Sequence, residues 1–287
     1  MQGEIIFDIE TNGFLDELTK IHCIALTKNE ADVVGLCLAE AAKWADFIYV
    51  YDGASADGTW EKVMALNNPR IIPWKQDGKV FTEGLRAEVF DQFRHLSAEG
   101  DWWLQLNVDE FYPENPRNLF ERVPSREGFV WGINVEYQLT WKDVDSLDFS
   151  LPFESIRPLL RHYKVIWSEP RAFRYRRRLV WQPTWAWPRH PGLVHRDRVI
   201  FKHYPYRSPQ QIQLRLDVRR DNRARGFEGW DHAKEEDWKQ KIVDRIECEY
   251  DDGVGPLRID EARLPRHLEP PWARYVKRFM HGAGIWP

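Results

Sequence analysis

The sequence predicts an α/β protein whose mostly parallel sheet is flanked by helices. Two observations predict this class. Between residues 21 and 106 there are four short apolar runs of strand length, and the three stretches between them have helical periodicity. Strands joined by helical crossovers are parallel neighbours covered by helices. The chain has 287 residues, 43% hydrophobic and 30% charged, which indicates a soluble globular protein with one large domain, or with one domain and a small appendage.

Each strand and helix between residues 21 and 106 is predicted from the sequence pattern of its own residues. The predicted strands span residues 21–26, 47–51, 71–74 and 103–106. The first helix is predicted over 33–41, and the second begins at Ser55 or Asp57 as N-cap and runs to Leu66. Thr82 is the predicted cap of the third helix, which reaches Leu96.

The second half is less regular. Residues 128–139 are a predicted strand, and residues 140–200 are expected to be irregular and partly β. Ser208 and Pro209 have the residue types of a helix cap and first position, so a helix is predicted to Arg225. Residues 250–287 should contribute C-terminal helices or surface-wrapping segments. Two groups of arginines are expected to form solvated faces: 171, 174 and 176–178, and 215, 219, 220 and 223. For the first group, the alternative is a clamp for diphosphate or an acidic acceptor.

Composition and charge exclude several classes of protein. The net charge of −4 argues against a nucleic-acid coat, so no nucleic-acid partner is expected. The three cysteines have no metal or redox spacing, which favours reduced thiols and a cytoplasmic location. No apolar run has the length of a transmembrane segment, and no signal peptide is recognisable. Any work at a membrane is therefore expected from its surface, peripherally at the inner membrane, or through a partner. The fifteen tryptophans favour a large core and an aromatic-lined ligand pocket.

Polar side chains follow three of the predicted strands. These are Thr27 to Glu30, Asp52, and Asn107 to Glu110. Ligands of open parallel sheets bind at the carboxyl ends of the strands, so the three groups should gather at one edge. Carboxylates there suit a divalent ion that bridges and neutralises a diphosphate.

Four segments in this region carry a family resemblance. They are A-L-T-K-N-E-A-D-V-V-G from residue 25, V-Y-D-G-A-S-A-D-G-T from 50, W-L-Q-L-N-V-D-E-F from 103 and F-K-H-Y-P-Y-R-S from 201. In type and order they resemble glycosyltransferase family 2, whose fold is the Rossmann-like GT-A fold. The resemblance covers roughly residues 22–225. It implies a metal-dependent transfer of a sugar, with inversion, from a nucleotide-sugar donor. A UDP-sugar is the expected donor.

The resemblance also implies how the donor is held. Thr27 and Glu30 would border the base and ribose, and Asp52 would hydrogen-bond one of them. Arg86 would reach the nucleotide, and the amide of Asn107 would bind a ribose hydroxyl. The structural alternatives are a turn residue for Asp52 and a solvated helix charge for Arg86.

The catalytic residues implied by the resemblance are Asp109 and Glu110. Asp109 matches the metal-binding aspartate of the D-x-D motif and would hold Mn2+ or Mg2+. His203 would be a further metal or diphosphate ligand, or alternatively a core histidine. Glu110 would support the metal site or orient the acceptor.

Two departures from the family pattern bear on activity. Asn107 stands in place of the first aspartate of D-x-D, which removes a negative charge, and Gly53 stands in place of the second of two aspartates. The general base is left open among four residues: Asp143, Asp145, Glu169 and Asp197. The acceptor, whether glycan, lipid-linked or protein, is also open. The alternative function is an inactive GT-A-like protein that binds a carbohydrate or a partner.

The N-terminus has a different character. Residues 4–24 resemble the first motif of the 3′–5′ exonuclease domain of phage DNA polymerases, with Asp8 and Glu10 as its D-x-E. No later acidic motif follows, so an exonuclease-related fragment is the least favoured hypothesis. The predicted division is an N-terminal hairpin or extension at 1–20, a nucleotide-sugar-binding half at 21–115, an acceptor-side region at 116–225 and a C-terminal helical or wrapping segment at 226–287.

Overall fold

The computed structural model of the chain describes residues 19–226 and 235–287. Its first half alternates strands and helices, as predicted. The strands are β1 (Ile21–Thr27), β2 (Phe47–Asp52), β3 (Ile71–Gln76) and β4 (Trp102–Asn107). The helices between them are α1 (Val34–Ala41), α2 (Thr59–Ala65) and α3 (Leu85–Phe93).

These four strands form a parallel sheet in the order β3-β2-β1-β4. Almost every side chain of the central strand β1 is buried, as expected where helices cover both faces. Thr27 pairs with Asp52, and Leu26 pairs with Asn107, so the carboxyl ends of three strands lie side by side. The predicted fold class, a mostly parallel α/β sheet flanked by helices, is confirmed.

The second half extends the same sheet with strands of mixed direction. They are β5 (Glu110–Phe111), β6 (Glu127–Tyr137), β7 (His162–Arg174), β8 (Leu193–Val194), β9 (Val199–His203) and β10 (Glu249–Tyr250). β7 pairs antiparallel with both β4 and β6, and β9 runs parallel to β6. β9 also pairs with β5, where His203 lies opposite Glu110. That pairing brings His203 to the sheet edge that carries Asp109.

Five α-helices lie in the described part of this second half. They are α4 (Arg117–Phe120), α5 (Trp141–Ser146), α6 (Phe153–Ile156), α7 (Pro209–Ala224) and α8 (Pro271–Gly282). The predicted start of α7 is confirmed, because the side chain of Ser208 accepts a hydrogen bond from the Gln211 amide and Pro209 occupies the first turn. The C-terminal tail, which was predicted to contain helices, contains α8.

Three details differ from the predictions. α3 begins after Gly84 rather than at Thr82, whose carbonyl accepts the Leu85 amide in the preceding turn. α2 follows Gly58, which is left-handed at φ 89°, although Asp57 still accepts the Thr59 amide. Residues 140–200 are more regular than expected, since β7 alone has 13 residues. Pro170, Arg171 and Arg174 interrupt the alternation of apolar and polar residues that would have predicted β7 as a strand.

The arginine run from 171 to 178 is only partly a solvated face. Arg171 is 1% exposed, and its guanidinium lies 3.8 Å from the ring centroid of Phe201. The guanidinium of Arg174 stacks 4.7 Å from the ring centroid of Trp102. Two arginines of this run therefore make cation–π contacts with aromatic residues of β9 and β4. Arg177 and Arg178 are exposed, as predicted.

Two apolar cores cover the two faces of the sheet. The adjacent residues Trp102 and Trp103 are both fully buried, and they point into opposite cores because side chains alternate along a strand. Much of the tryptophan content thus serves packing.

The predicted N-terminal hairpin, with Asp8 and Glu10, lies outside the described residues apart from its last two positions. The domain boundaries at 115 and 225 stay predictions. Of the helices in the described ranges, none is long and apolar enough to cross a membrane.

Candidate functional site

A cavity of about 540 Å³ opens at the carboxyl ends of the parallel strands. Its walls come from the loop after β1, the ends of β2 and β4, the start of α3 and one face of α7. A cavity of this volume is within the usual range for small-molecule and cofactor sites.

Six of the eight predicted site residues line this cavity: Thr27, Glu30, Arg86, Asn107, Asp109 and His203. Asp52 and Glu110 do not. Asp52 is buried beneath the rim, where its carboxylate accepts hydrogen bonds from the Ser55 amide (2.7 Å) and from the side chain of Gln76 (3.1 Å). Glu110 lies behind the cavity wall, 2% exposed.

Asp109 is the centre of a charged cluster. Its Oδ2 accepts hydrogen bonds from Arg215 Nη1 at 2.8 Å and from His203 Nε2 at 3.1 Å, and Arg207 Nη1 lies 3.9 Å away. Burial alone would raise the pKa of Asp109, but His203, Arg215 and Arg207 outweigh it and hold that pKa well below its usual range. The surrounding cations therefore favour the ionised form of Asp109.

The two hydrogen-bond partners of that carboxylate, His203 and Arg215, both have a raised pKa, as expected beside an anion. Burial alone would lower the pKa of His203, but Asp109, with Glu110 and Glu136, raises it. Glu30 differs, because burial raises its pKa more than Arg207 lowers it. These two cavity carboxylates therefore differ, because the neighbours of Asp109 favour its ionised form, whereas Glu30 accepts a proton more readily than usual.

Arg207 was not among the predicted site residues, although it belongs to the quoted F-K-H-Y-P-Y-R-S segment. Its guanidinium binds Asp32 through two hydrogen bonds of 2.7 and 2.9 Å and also contacts Glu30. It is 1% exposed. Arg207 fixes the loop after β1 to the segment that precedes α7.

The prediction that the arginines of α7 form an exposed face is wrong for Arg215 and Arg219. Both line the cavity. They fall three and seven residues after buried Ile212, on its side of the helix, and this spacing is the signal that could have identified them. Burial and the neighbouring Arg215 lower the pKa of Arg219 to about 10. Arg220 is exposed, as predicted.

A chain of hydrogen bonds supports the cavity wall behind Asp109. Arg86 Nη2 donates to Asn107 Oδ1 at 3.0 Å, and Asn107 Nδ2 donates to Glu110 Oε1 at 2.8 Å. Arg171 Nη1 donates to Glu110 Oε2 at 2.6 Å. Asn107 thus acts as acceptor and donor at once, which a carboxylate cannot do. The departure from the D-x-D pattern has a physical reason, because an aspartate would face Glu110 directly.

None of the four candidate general bases, all within the described ranges, lines the cavity. Asp143 caps α5 through Thr140 and binds Arg245. Asp145 and Asp197 are exposed. Glu169 contacts Arg171 and so reaches the chain of hydrogen bonds behind the wall.

The residues present would fit a divalent cation with two protein ligands. Asp109 Oδ2 and His203 Nε2 lie 3.1 Å apart, so both could contact one ion. Among the residues that the structure describes, no third histidine, cysteine or acidic residue completes a metal-binding group. Diphosphate oxygens and water would have to fill the other positions, an arrangement that Mg2+ accepts. Arg215 already supplies positive charge beside Asp109.

The comparisons with known proteins gave similarities to solved structures only. No protein-family model matches the chain, and no curated protein sequence does so either. The chain is similar to a mannosyltransferase from Pyrobaculum calidifontis in complex with GDP-Man and Mn2+, at 12% identity and a TM-score of 0.39, over 73% of this chain and 64% of that one.

Two further structures are similar over shorter or weaker alignments. One is mannosyl-3-phosphoglycerate synthase from Rubrobacter xylanophilus, at 18% identity and a TM-score of 0.28, over 42% of this chain and 41% of that one. The other is 4-diphosphocytidyl-2C-methyl-D-erythritol synthase, at 16% identity and a TM-score of 0.30, over 58% of this chain and 77% of that one. The chain spans less than two thirds of the first two structures. Similarity at this level carries no information about activity.

Proposed function

We propose that the protein is a glycosyltransferase that binds a nucleotide-sugar donor in this cavity and transfers its sugar, with inversion, to a glycan, lipid-linked or protein acceptor. A UDP-sugar is the proposed donor. The observation that carries the proposal is the convergence of six side chains on one cavity at the carboxyl edge of a parallel sheet: Thr27, Glu30, Arg86, Asn107, Asp109 and His203.

The charges of the cavity suit a diphosphate. Lys28, Arg86, Arg215 and Arg219 line it together with Asp109 and other acidic side chains, and Arg215 lies 2.8 Å from Asp109. Transfer of the sugar leaves negative charge on the diphosphate, and fixed guanidinium groups stabilise such charge without reorganising. Asp109 and His203 would hold a Mn2+ or Mg2+ ion, which adds positive charge at the same place.

The proposed roles of the remaining residues follow from their contacts. Arg207 holds Glu30 and thereby the loop that would border the base and ribose. Asn107 and Glu110 position Arg86, so Glu110 would act through its neighbours rather than touch substrate. Asp52 would shape the rim through its bond to the Ser55 amide.

Isothermal titration with UDP, GDP and CDP, each with and without Mn2+, tests this proposal. Wild-type protein should bind UDP, and Mn2+ should tighten binding. Asp109→Asn should abolish the effect of Mn2+, whereas Asp91→Asn, on the exposed side of α3, should bind like wild type. A wild type that binds none of the nucleotides, or an Asp109→Asn variant with an undiminished response to Mn2+, would contradict it.

The second candidate is a protein that binds a carbohydrate or a partner without catalysis. It is favoured by the full set of ionic partners around Asp109 and by the position of all four candidate bases away from the cavity. Slow hydrolysis of the donor distinguishes the two functions. Free sugar released from a UDP-sugar by wild type, and lost in Asp109→Asn, supports a transferase; nucleotide binding without release supports the second candidate.

A further inference from the structure

The C-terminal helix α8 is attached to the protein by its polar side. Arg274 donates to the carbonyl of Val194 at 2.7 Å and forms an ion pair with Glu127, which is 7% exposed. Lys277 Nζ lies 2.8 Å from a carboxylate oxygen of Glu269. Helices of globular proteins normally pack with their apolar side inward, so the orientation of α8 is inverted.

The opposite side of α8 is apolar and exposed. Trp272 is 71% exposed, Tyr275 73%, Val276 45% and Phe279 61%. Their spacing of three, four and seven residues places them on one face. Ile285, just past the helix, is 57% exposed and extends this patch. Because ion pairs fix the other side of the helix, the apolar face cannot turn inward without breaking them.

Positive charge borders this face. Residues 270–287 contain no aspartate or glutamate, and neither do residues 171–196, which include seven arginines. The two segments are in contact, since Arg178 Nη2 donates to the carbonyls of Gly284 (2.9 Å) and Trp286 (3.1 Å). Arg177, Arg178, Arg189 and Arg278 are exposed. The whole chain has a net charge of −4, so the positive charge of these two segments is separated from an excess of negative charge elsewhere in the chain.

We propose that α8 and its arginine border are a docking surface for an anionic lipid bilayer, with the aromatic side chains at the level of the headgroups and the guanidinium groups on lipid phosphates. Tryptophan and tyrosine favour the membrane interface because one part of each ring is apolar and another forms hydrogen bonds. An amphipathic helix with basic flanks binds in the plane of the interface.

The size of the face favours a bilayer over a second protein. A helix of 12 residues presents an area on the order of 200 Å² on one side, given its rise and diameter. Stable protein complexes bury about 800 Å² on each partner. Lipid binding has no such minimum, because each inserted side chain contributes separately.

Co-sedimentation of the full chain with vesicles tests the proposal. Wild type should pellet with vesicles of phosphatidylcholine and phosphatidylglycerol and stay in the supernatant with phosphatidylcholine alone. High salt should weaken binding, since it screens exposed charges. The double substitution Trp272→Ser with Phe279→Ser should reduce binding at least tenfold, and Arg278→Gln about fivefold.

The controls separate docking from folding and from self-association. Ile246→Ser and Val254→Ser each remove an apolar side chain that is 94% exposed elsewhere, and both should bind like wild type. Melting temperatures should be equal in all variants, because the altered side chains are exposed. No binding of wild type to anionic vesicles would overturn the proposal, as would equal binding by the double variant. It would also be overturned if the wild type were a dimer and the double variant a monomer.

Discussion

The guanidinium of Arg215 lies 2.8 Å from the carboxylate of Asp109, although the two residues are 106 positions apart in the chain. Arg215 is on α7, which forms one wall of the cavity, and Asp109 follows β4. The contact therefore joins that helix to the carboxyl ends of the strands. It places a fixed cation beside the residue that the D-x-D resemblance identifies as the metal ligand.

Replacing Arg215 should therefore weaken nucleotide binding. A charge-assisted hydrogen bond contributes about 1.5–3 kcal/mol, so Arg215→Ala should lower the affinity for UDP by roughly one to two orders of magnitude. Arg220→Ala is the matched control, because Arg220 is on the same helix but exposed. Titration calorimetry measures both. Equal affinities in the two variants would show that Arg215 does not contact the ligand.

Replacing Asn107 by aspartate, which restores the D-x-D pattern, should destabilise the fold. The new carboxylate would replace a donor 2.8 Å from the buried carboxylate of Glu110, leaving two anions in contact. The loss should be about 1–3 kcal/mol in the free energy of unfolding by urea. Asn118→Asp, on the exposed side of α4, should change it by less than about 0.5 kcal/mol. A stable Asn107→Asp variant would mean that Arg86 or Arg171 moves to neutralise the pair.

Two glycine-to-alanine substitutions should have opposite effects. A Cβ on Gly84, just before α3, would lie 1.5 Å from the carbonyl oxygen of Pro183, so Gly84→Ala should cost about 1–3 kcal/mol. Gly35 is inside α1, and its nearest neighbour would be Leu66 at 4.0 Å. Gly35→Ala should stabilise by about 0.5–1 kcal/mol through helix propensity. Thermal unfolding compares the two variants, and destabilisation by both would refute the packing argument.

Asp101 should contribute to acid sensitivity. Burial alone would raise its pKa, but His22 and the amides of Lys20 and Ala98 lower it below the ordinary value. A depressed pKa in the folded state stabilises the fold above the unfolded pKa of about 3.9, and the contribution is lost as pH falls through the folded pKa. Unfolding free energies measured between pH 7 and pH 3 should therefore fall less steeply in Asp101→Asn than in wild type. Parallel curves would show that the native carboxylate has no special stabilisation.

The parallel half of the fold and its polar edge were predictable because local patterns determine them. Apolar runs with strand spacing, separated by helical stretches, fix the order of β1 to β4, and parallel pairing then aligns Thr27, Asp52 and Asn107. The orientation of the Asp52 side chain was not predictable. Its carboxylate points away from the cavity and accepts a hydrogen bond from the Ser55 amide. Whether a strand-end side chain faces the ligand or its own loop depends on the loop conformation.

The cations of the site were harder to predict than its carboxylates. Arg215 and Arg219 look like surface charges in a helix rich in arginine, and only the position of Ile212 reveals which side is buried. The inward orientation of Arg171 depends on the buried acid Glu110, which is 61 residues away. Long-range ion pairs of this kind leave no periodic signal in the sequence.

The ion pairs of Arg207 have a consequence for synthesis of the protein on the ribosome. Arg207 joins Asp32, 175 residues earlier, to the carbonyl of Tyr204. Until residue 207 has left the ribosome, Glu30, Asp32 and Asp109 lack the guanidinium groups of Arg207 and Arg215 that pair with them in the folded protein. The acidic side of the cavity therefore takes its final form late in translation, when the arginines emerge, and not when its own strands first pair.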